Sequence, residues 1–238
     1  MRQLLPHCVD DVDLREAYRH PADPVWVRAN MVSSLDGSAT QDGFSAGISG
    51  PVDKRVFGTL RGLCDAVLVG AGTARIEGYD TPKARPSYAD YRASLGQRPA
   101  PVLVLVSRRL DLDPDGPLFA GGQRTIVVTS RSSDPDLRQR LGRVADVVIA
   151  GESEVDPAYA VRELADRGLP RILCEGGPTL LAALVAAQCL DELCLTLSPK
   201  AVGGVGPRIM HGVTLDQDYR PAHLLEEDGI LFGRYVRA

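Results

Sequence analysis

The stretch Ile172-Leu173-Cys174-Glu175-Gly176-Gly177-Pro178-Thr179-Leu180-Leu181 decides how this chain is read. A short apolar run ends in a carboxylate, two glycines follow, and Pro178 opens a second apolar segment. Glycine permits close backbone approach and dihedrals that other residues avoid. Proline suits the first turn of a helix, where its missing N–H costs nothing. The pattern therefore predicts a strand, a tight glycine turn and a helix N-terminus. Free N–H groups at such an end suit an anion, typically a phosphate. A turn that merely punctuates the chain reads the same way, so the surrounding residues must decide.

Working outward, the chain alternates. Strand-like runs rich in β-branched and apolar residues cover 25–33, 66–70, 101–107, 125–129, 145–150, 171–174 and 192–197. Helical spacing of Val56, Phe57, Leu60 and Leu63 predicts a helix from Pro51 to about Cys64. Asp134-Pro135, Asp156-Pro157 and Gly177-Pro178 open further helices at about 135–142, 157–167 and 178–188. Residues 222–238 read as two strands around Asp228-Gly229, a hairpin signal. Such alternation predicts an α/β fold, with a mostly parallel mixed sheet, helices on both faces and a C-terminal antiparallel hairpin. Residues 1–24 read as a polar lead-in, 25–238 as one domain, and 81–100 as a surface excursion. The long loop 33–50 lacks periodicity, and Gly203–Gly206 reads as a structural loop.

Composition narrows the function. A net charge of −4 argues against a general nucleic-acid binder, whose footprint is basic. No run reaches the length of a membrane span, and the acidic N-terminus does not resemble a signal peptide. Five cysteines without C-x-x-C spacing predict reduced thiols and a cytoplasmic location. Four histidines without ligand spacing predict no metal.

Ligands of open α/β sheets bind beyond the carboxyl ends of the strands. Polar or glycine-rich chemistry stands at Ser33–Gly37, Gly70–Thr73, Ser107–Arg109, Thr129–Arg131 and Glu175–Gly177. Together these ends form a rim. Arginine forks match phosphate geometry, so Arg108 and Arg131 are candidates for a ribose 2′-phosphate; each reads equally as a solvated loop charge. A full G-x-G-x-x-G fingerprint and a Walker loop are both absent.

The segments S-S-L-D-G (33–37), C-D-A-V-L-V-G-A-G-T (64–73), L-V-S (105–107), I-L-C-E-G-G-P-T-L (172–180) and D-E-L-C-L-T-L-S-P (191–199) occur in one order. With Leu60-Arg61 and G-G-V-G-P, they resemble the reductase domain of bacterial riboflavin biosynthesis. That domain is a 5-amino-6-(5-phosphoribosylamino)uracil reductase. The resemblance implies a dihydrofolate reductase-like three-layer α/β/α fold, a homodimer, and NADPH-dependent hydride transfer to C1′ of the substrate's open-chain ribose. It implies cofactor contacts at Val32, Gly47, Gly70, Gly72, Thr73, Ser107, Gly176, Gly177, Pro178, Thr179 and Leu180. Ser45, Arg61 and Glu77 fall on the substrate side, and Asp36 and Glu175 are candidates for orienting the substrate or relaying a proton. Asp36 reads equally as a turn residue.

The chain departs from the pattern on the substrate side. Asn30 stands where the family usually has a phosphate-holding lysine, and Glu77 replaces an aspartate. The H-x-E and P-C-x-x-C motifs of the often-fused deaminase do not occur. Two alternatives therefore stay open: reduction of a dihydropterin such as dihydrofolate, and a non-catalytic dinucleotide-binding module.

Overall fold

The computed structural model describes residues 1–238. Its centre is a run of parallel strands, each buried on both faces. These are β2 (Trp26–Ser33), β3 (Ala66–Gly70), β4 (Val102–Val106), β5 (Thr125–Thr129), β6 (Ala145–Ile149), β7 (Arg171–Cys174) and β8 (Glu192–Leu197). β9 (Tyr219–Glu227) and β10 (Ile230–Arg237) form the antiparallel hairpin, and β1 (Arg2–Leu5) pairs with β9. The sheet order is β1-β9-β10-β8-β2-β7-β3-β4-β5-β6. The first residues are thus an edge strand of the sheet, not a lead-in. The strand is too short and polar to announce itself without its partner. β8 is paired along both edges, by β10 and β2.

Alternation along β3 explains the layers. Val67 and Val69 point into the apolar core that also holds Val56, Leu60 and Leu63 of helix α2 (Pro51–Leu63). Ala66 and Leu68 point the other way, to the core shared with α6 (Pro157–Asp166) and α7 (Pro178–Ala186). Every second residue faces one layer, so a continuous apolar strand needs helices on both sides. Three short helices, α1 (Leu14–Ala17), α3 (Ala71–Ile76) and α4 (Ala89–Ser94), and α5 (Pro135–Leu141) complete the set. Asp134 and Asp156 cap α5 and α6 by accepting from two backbone N–H groups each. No helix is long and apolar enough to cross a membrane.

Residues 81–100 are more than a surface excursion. They contain α4, and Tyr88 and Arg92 are buried. Gly58 and Gly62, one turn apart on α2, admit this segment. A methyl at Gly58 would overlap the Arg85 guanidinium, and one at Gly62 would stand 2.5 Å from the Tyr88 ring. Each mid-helix glycine costs about 1 kcal/mol relative to alanine, and the docked segment offsets it.

A polar network lies between β8, β2 and the N-terminal segment. The buried Arg28 and Glu192 are ion-paired at 2.5 Å, and Arg234 joins Glu192 at 2.9 Å. Burial pushes the Glu192 carboxyl up, but the Arg28 and Arg234 guanidiniums outweigh this and hold it at about 2. Burial lowers His20 to about 2, with Arg28 adding to the effect, and lowers His223 to about 4, with Arg234 adding to it. Both imidazoles are therefore neutral in the fold, whereas the unfolded chain protonates them below about pH 6.5. Stability is complete above that pH and falls as pH decreases, through about 4 for His223 and on towards 2 for His20. The slope approaches about 1.4 kcal/mol per pH unit for each group. Urea unfolding from about pH 7 to 5 is expected to show this loss, and His20→Leu to reduce it. A flat profile contradicts the assignment.

Candidate active site

The parallel strands bring three polar ends together. β7 lies between β2 and β3, so Glu175 and the glycine turn emerge beside Met31 of β2 and Gly70 of β3. The Gly176 carbonyl accepts from Gly70 N at 2.8 Å, tying the turn to the neighbouring strand. Gly176 has φ +84, a left-handed conformation that favours glycine, and a Cβ there would meet Met31 Sδ at 3.3 Å. The Gly176–Gly177 peptide is cis.

Two cavities meet at this turn. The smaller, about 370 Å³, is lined by Gly70, Gly72, Thr73, Arg108 and the turn residues Gly177 to Leu180, among others. The larger, about 560 Å³, includes Asn30, Val32, Ser45, Arg61, Glu77 and Glu175 in its lining. Thr73, Gly177 and Pro178 belong to both walls. α7 begins here with no side-chain cap, in contrast to α5 and α6. Its first-turn N–H groups are therefore available to an anion.

One wall of the larger cavity is an ionic cluster. Arg61 Nε and Nη2 donate to the two Glu175 oxygens at 2.7 Å each, a bidentate pair. Tyr79 Oη donates to Glu175 Oε2 at 2.8 Å. Arg61, in the last turn of α2, stacks on Phe57 one turn earlier, with its guanidinium carbon 4.3 Å from that ring and 5.2 Å from the Tyr79 ring. Burial acts against the Arg61 charge, but the Glu175 hydrogen bonds and charge outweigh it and raise the pKa. Burial and the Glu175 charge raise the Tyr79 pKa in turn, so its proton stays on oxygen. The cluster holds Arg61 in one geometry with its Nη1 uncommitted to the chain. Glu175 acts in it as the clamp of Arg61.

Other site residues support the loops. Glu77 Oε1 accepts from Ser45 N at 2.8 Å and Lys200 Nζ donates to the Gly47 carbonyl at 2.6 Å, fixing the short turn Ser45–Gly47. Asp53 accepts from Ser49 at 2.5 Å and from Thr196 at 2.7 Å, anchoring α2 to β8.

The other candidate residues fall at several places around these cavities. Asp36 lines neither cavity. Its carboxylate accepts from Ser34 Oγ and from the N–H groups of Val202 and Gly203, which together hold it at about 2. It latches the 33–50 loop to the 199–207 loop, and its ionised form is committed to that latch. Gly47, Ser107 and Gly176 also lie outside both linings. Ser107 Oγ accepts from Leu110 N, a turn bond, and Gly176 acts through its carbonyl. Arg131 is exposed and paired with Glu152, away from both cavities, and Arg108 is paired with Glu154 at the mouth of the smaller one. Val32 faces the larger cavity. Tyr79, Phe57 and Lys54 were missed, although Tyr79 lies two residues beyond Glu77 and Phe57 one helical turn before Arg61.

Fold and site together define a three-layer α/β/α protein, with a groove at the carboxyl ends of its central strands. The chain belongs to the RibD C-terminal domain family, whose profile matches residues 25–229. It is 29% identical over 183 residues to the 2,5-diamino-6-ribosylamino-4(3H)-pyrimidinone 5′-phosphate reductase of Archaeoglobus fulgidus, covering 75% of this chain and 82% of that protein. It is 28% identical over 193 residues to the enzyme of the same name from Methanothermobacter thermautotrophicus, covering 81% and 86%. A pyrimidine reductase-like protein from Corynebacterium diphtheriae superposes with a TM-score of 0.85 at 26% identity, covering 95% of this chain and 99% of that one.

Proposed function

We propose that this chain is an NADPH-dependent reductase of a riboflavin-pathway ribosylaminopyrimidine phosphate. The observation that carries the reading is the shared wall of Thr73, Gly177 and Pro178, where a glycine-lined cleft of about 370 Å³ opens into a second cavity. The lining of the smaller cavity suits a dinucleotide. It is lined by the uncapped α7 N-terminus and, beside it, by Gly70, Gly72 and Thr73. Gly177 to Leu180 would hold the pyrophosphate, and Gly70, Gly72 and Thr73 would shape the path beside it. When bound, the nicotinamide supplies a hydride, here for C1′ of the substrate's open-chain ribose imine.

The chain's own residues bind and orient. Arg61, clamped by Glu175 and Tyr79, offers its free Nη1 to the substrate. Glu77 and Ser45 stand in the same lining, to which Met31 and Val32 contribute apolar surface. Proximity and orientation then carry much of the rate. The names of the archaeal relatives favour the pyrimidinone that keeps its 2-amino group. NADPH oxidation followed with that pyrimidinone, with the aminouracil form and with dihydrofolate tests the reading. Turnover of either ribosylaminopyrimidine supports it. Turnover of dihydrofolate alone, or of none, contradicts it.

Dinucleotide choice gives a sharper expectation. Exposed ion pairs are worth about 0–1 kcal/mol, so a 2′-phosphate readily displaces Glu154 from Arg108. NADPH should bind more tightly than NADH, Arg108→Ala should weaken NADPH alone, and Glu154→Gln should strengthen it, each by a fewfold. Arg131→Ala should change neither affinity. Fluorescence titration of the two dinucleotides checks this, and equal affinities would sink the 2′-phosphate argument.

A further inference from the structure

Part of the wall of the larger cavity belongs neither to the sheet nor to its long helices. Ala39, Thr40 and Gly43 of the loop after β2 line it, and so does Pro207 of the loop after β8. The two loops leave the sheet from neighbouring strands, and the pairing continues past the strands themselves. Ser198 N donates to the Ser33 carbonyl at 2.8 Å, Leu35 N to the Lys200 carbonyl at 2.7 Å, and Ala39 N to the Pro207 carbonyl at 2.7 Å. Between these bonds the Asp36 carboxylate accepts from Val202 N and Gly203 N. The approach is close. A Cβ on Gly206 would stand 2.0 Å from Ser38 Oγ, which is itself committed to the Thr40 carbonyl at 2.7 Å. Neither loop can leave its place without breaking bonds of the other.

Their hold on the rest of the molecule is thinner. Further along the first loop, Glu77 Oε1 of the α3 end accepts from Ser45 N. Leu35, Phe44 and Val205 are exposed, so the paired loops bury little apolar surface of their own. Few apolar contacts and solvent-exposed backbone bonds mark a unit that opens at low cost. Loops that complete a binding cavity and then release its contents are drawn from such units.

We propose that residues 34–40 and 199–207 move as one flap at the larger cavity, that Asp36 is the pin that holds the flap shut, and that it closes on the substrate. Opening carries Ala39, Thr40 and Pro207 out of the cavity wall together. The joint motion follows from the pairing of the loops alone. Its coupling to a ribosylaminopyrimidine phosphate rests on the function proposed above.

Amide hydrogen exchange of the full chain, read by mass spectrometry, tests both parts. Asp36→Ala removes hydrogen bonds to a charged group and should speed exchange about 10-fold in 34–40 and in 199–206 alike. Asp36→Asn, which keeps one carbonyl acceptor, should lie between. Gly206→Ala wedges the pair from the second loop and should speed exchange in the first. Amides of the β3–β7 ladder, such as Glu175 N on the Leu68 carbonyl, should not change in any variant and report that the sheet stays folded. In the wild type with NADPH present, the ribosylaminopyrimidine phosphate at 100 times its Kd should slow exchange about 100-fold in both loops. Exchange that quickens in only one loop in Asp36→Ala, or in neither, overturns the flap, and so does a first loop unmoved by Gly206→Ala. Turnover of the pyrimidine without protection of both loops overturns closure on the substrate. Joint acceleration in the variants of a protein that neither binds nor turns over the pyrimidine would keep the flap and reject the reductase reading.

Discussion

Replacing Gly177 with alanine is expected to raise the Kd for NADPH about 100-fold while the sheet stays folded. The added Cβ would overlap the Thr73 hydroxyl, and Thr73 lines both cavities at their junction. Relief requires the Thr73 side chain to rotate out of place or the turn to move, and a displacement of about 1 Å in a positioning element costs on the order of 100-fold. The strand and helix on either side are held by ladder bonds and core packing that the methyl does not touch. Thr73→Ala removes the overlapping oxygen, so the double variant should regain part of the lost affinity. Fluorescence titration with circular dichroism as a fold control checks both. Wild-type affinity in Gly177→Ala would remove the turn from the cofactor site.

Glu175→Ala is expected to have the second large effect. It leaves the Arg61 guanidinium between Phe57 and Tyr79 without its counter-charge and strips Tyr79 of its acceptor. Breaking a buried pair by removing one partner costs about 3–5 kcal/mol. The Arg61 side chain is 21% exposed and partly solvated, which places the cost at the lower end. Activity should fall further than stability explains. An unclamped Arg61 no longer presents Nη1 in one place, so KM should rise with a loss in kcat/KM of about 100-fold. Glu175→Gln keeps the shape and one carbonyl acceptor and should lie between the two. Urea unfolding with steady-state kinetics measures both effects. Full activity in Glu175→Ala would show that the cluster only stabilises the fold.

These two predictions rest on residues that the sequence marks unevenly. The glycine turn was legible because strand, Gly-Gly and Pro each constrain the backbone locally, and the helix starts at Pro135, Pro157 and Pro178 were legible for the same reason. What distant segments do to one another was not. β1 becomes a strand only through pairing with β9, at the opposite end of the chain. Residues 81–100 read as polar surface because their burial depends on two glycines of α2 that look like helix defects in isolation. Asp36 sits in a motif that invites a catalytic role, and its partners, Ser34 Oγ and the N–H groups at 202 and 203, are visible only in the fold. Arg61 and Glu175 were both singled out, but as separate substrate contacts. That they form one bidentate pair, 114 residues apart in sequence, follows from the packing of α2 over β7.

Two cavities meet across one turn, and the proposed function puts the reducing end of the dinucleotide on one side and the sugar carbon on the other. Isotope transfer tests that juxtaposition most directly. NADPH carrying deuterium at nicotinamide C4, in each stereochemical form, should be incubated with the enzyme and the ribosylaminopyrimidine phosphate, and the product examined by NMR. Deuterium from one form should appear at C1′ of the ribityl chain and nowhere else. Deuterium on a ring carbon of the heterocycle, or a product that carries none from either form, would contradict it.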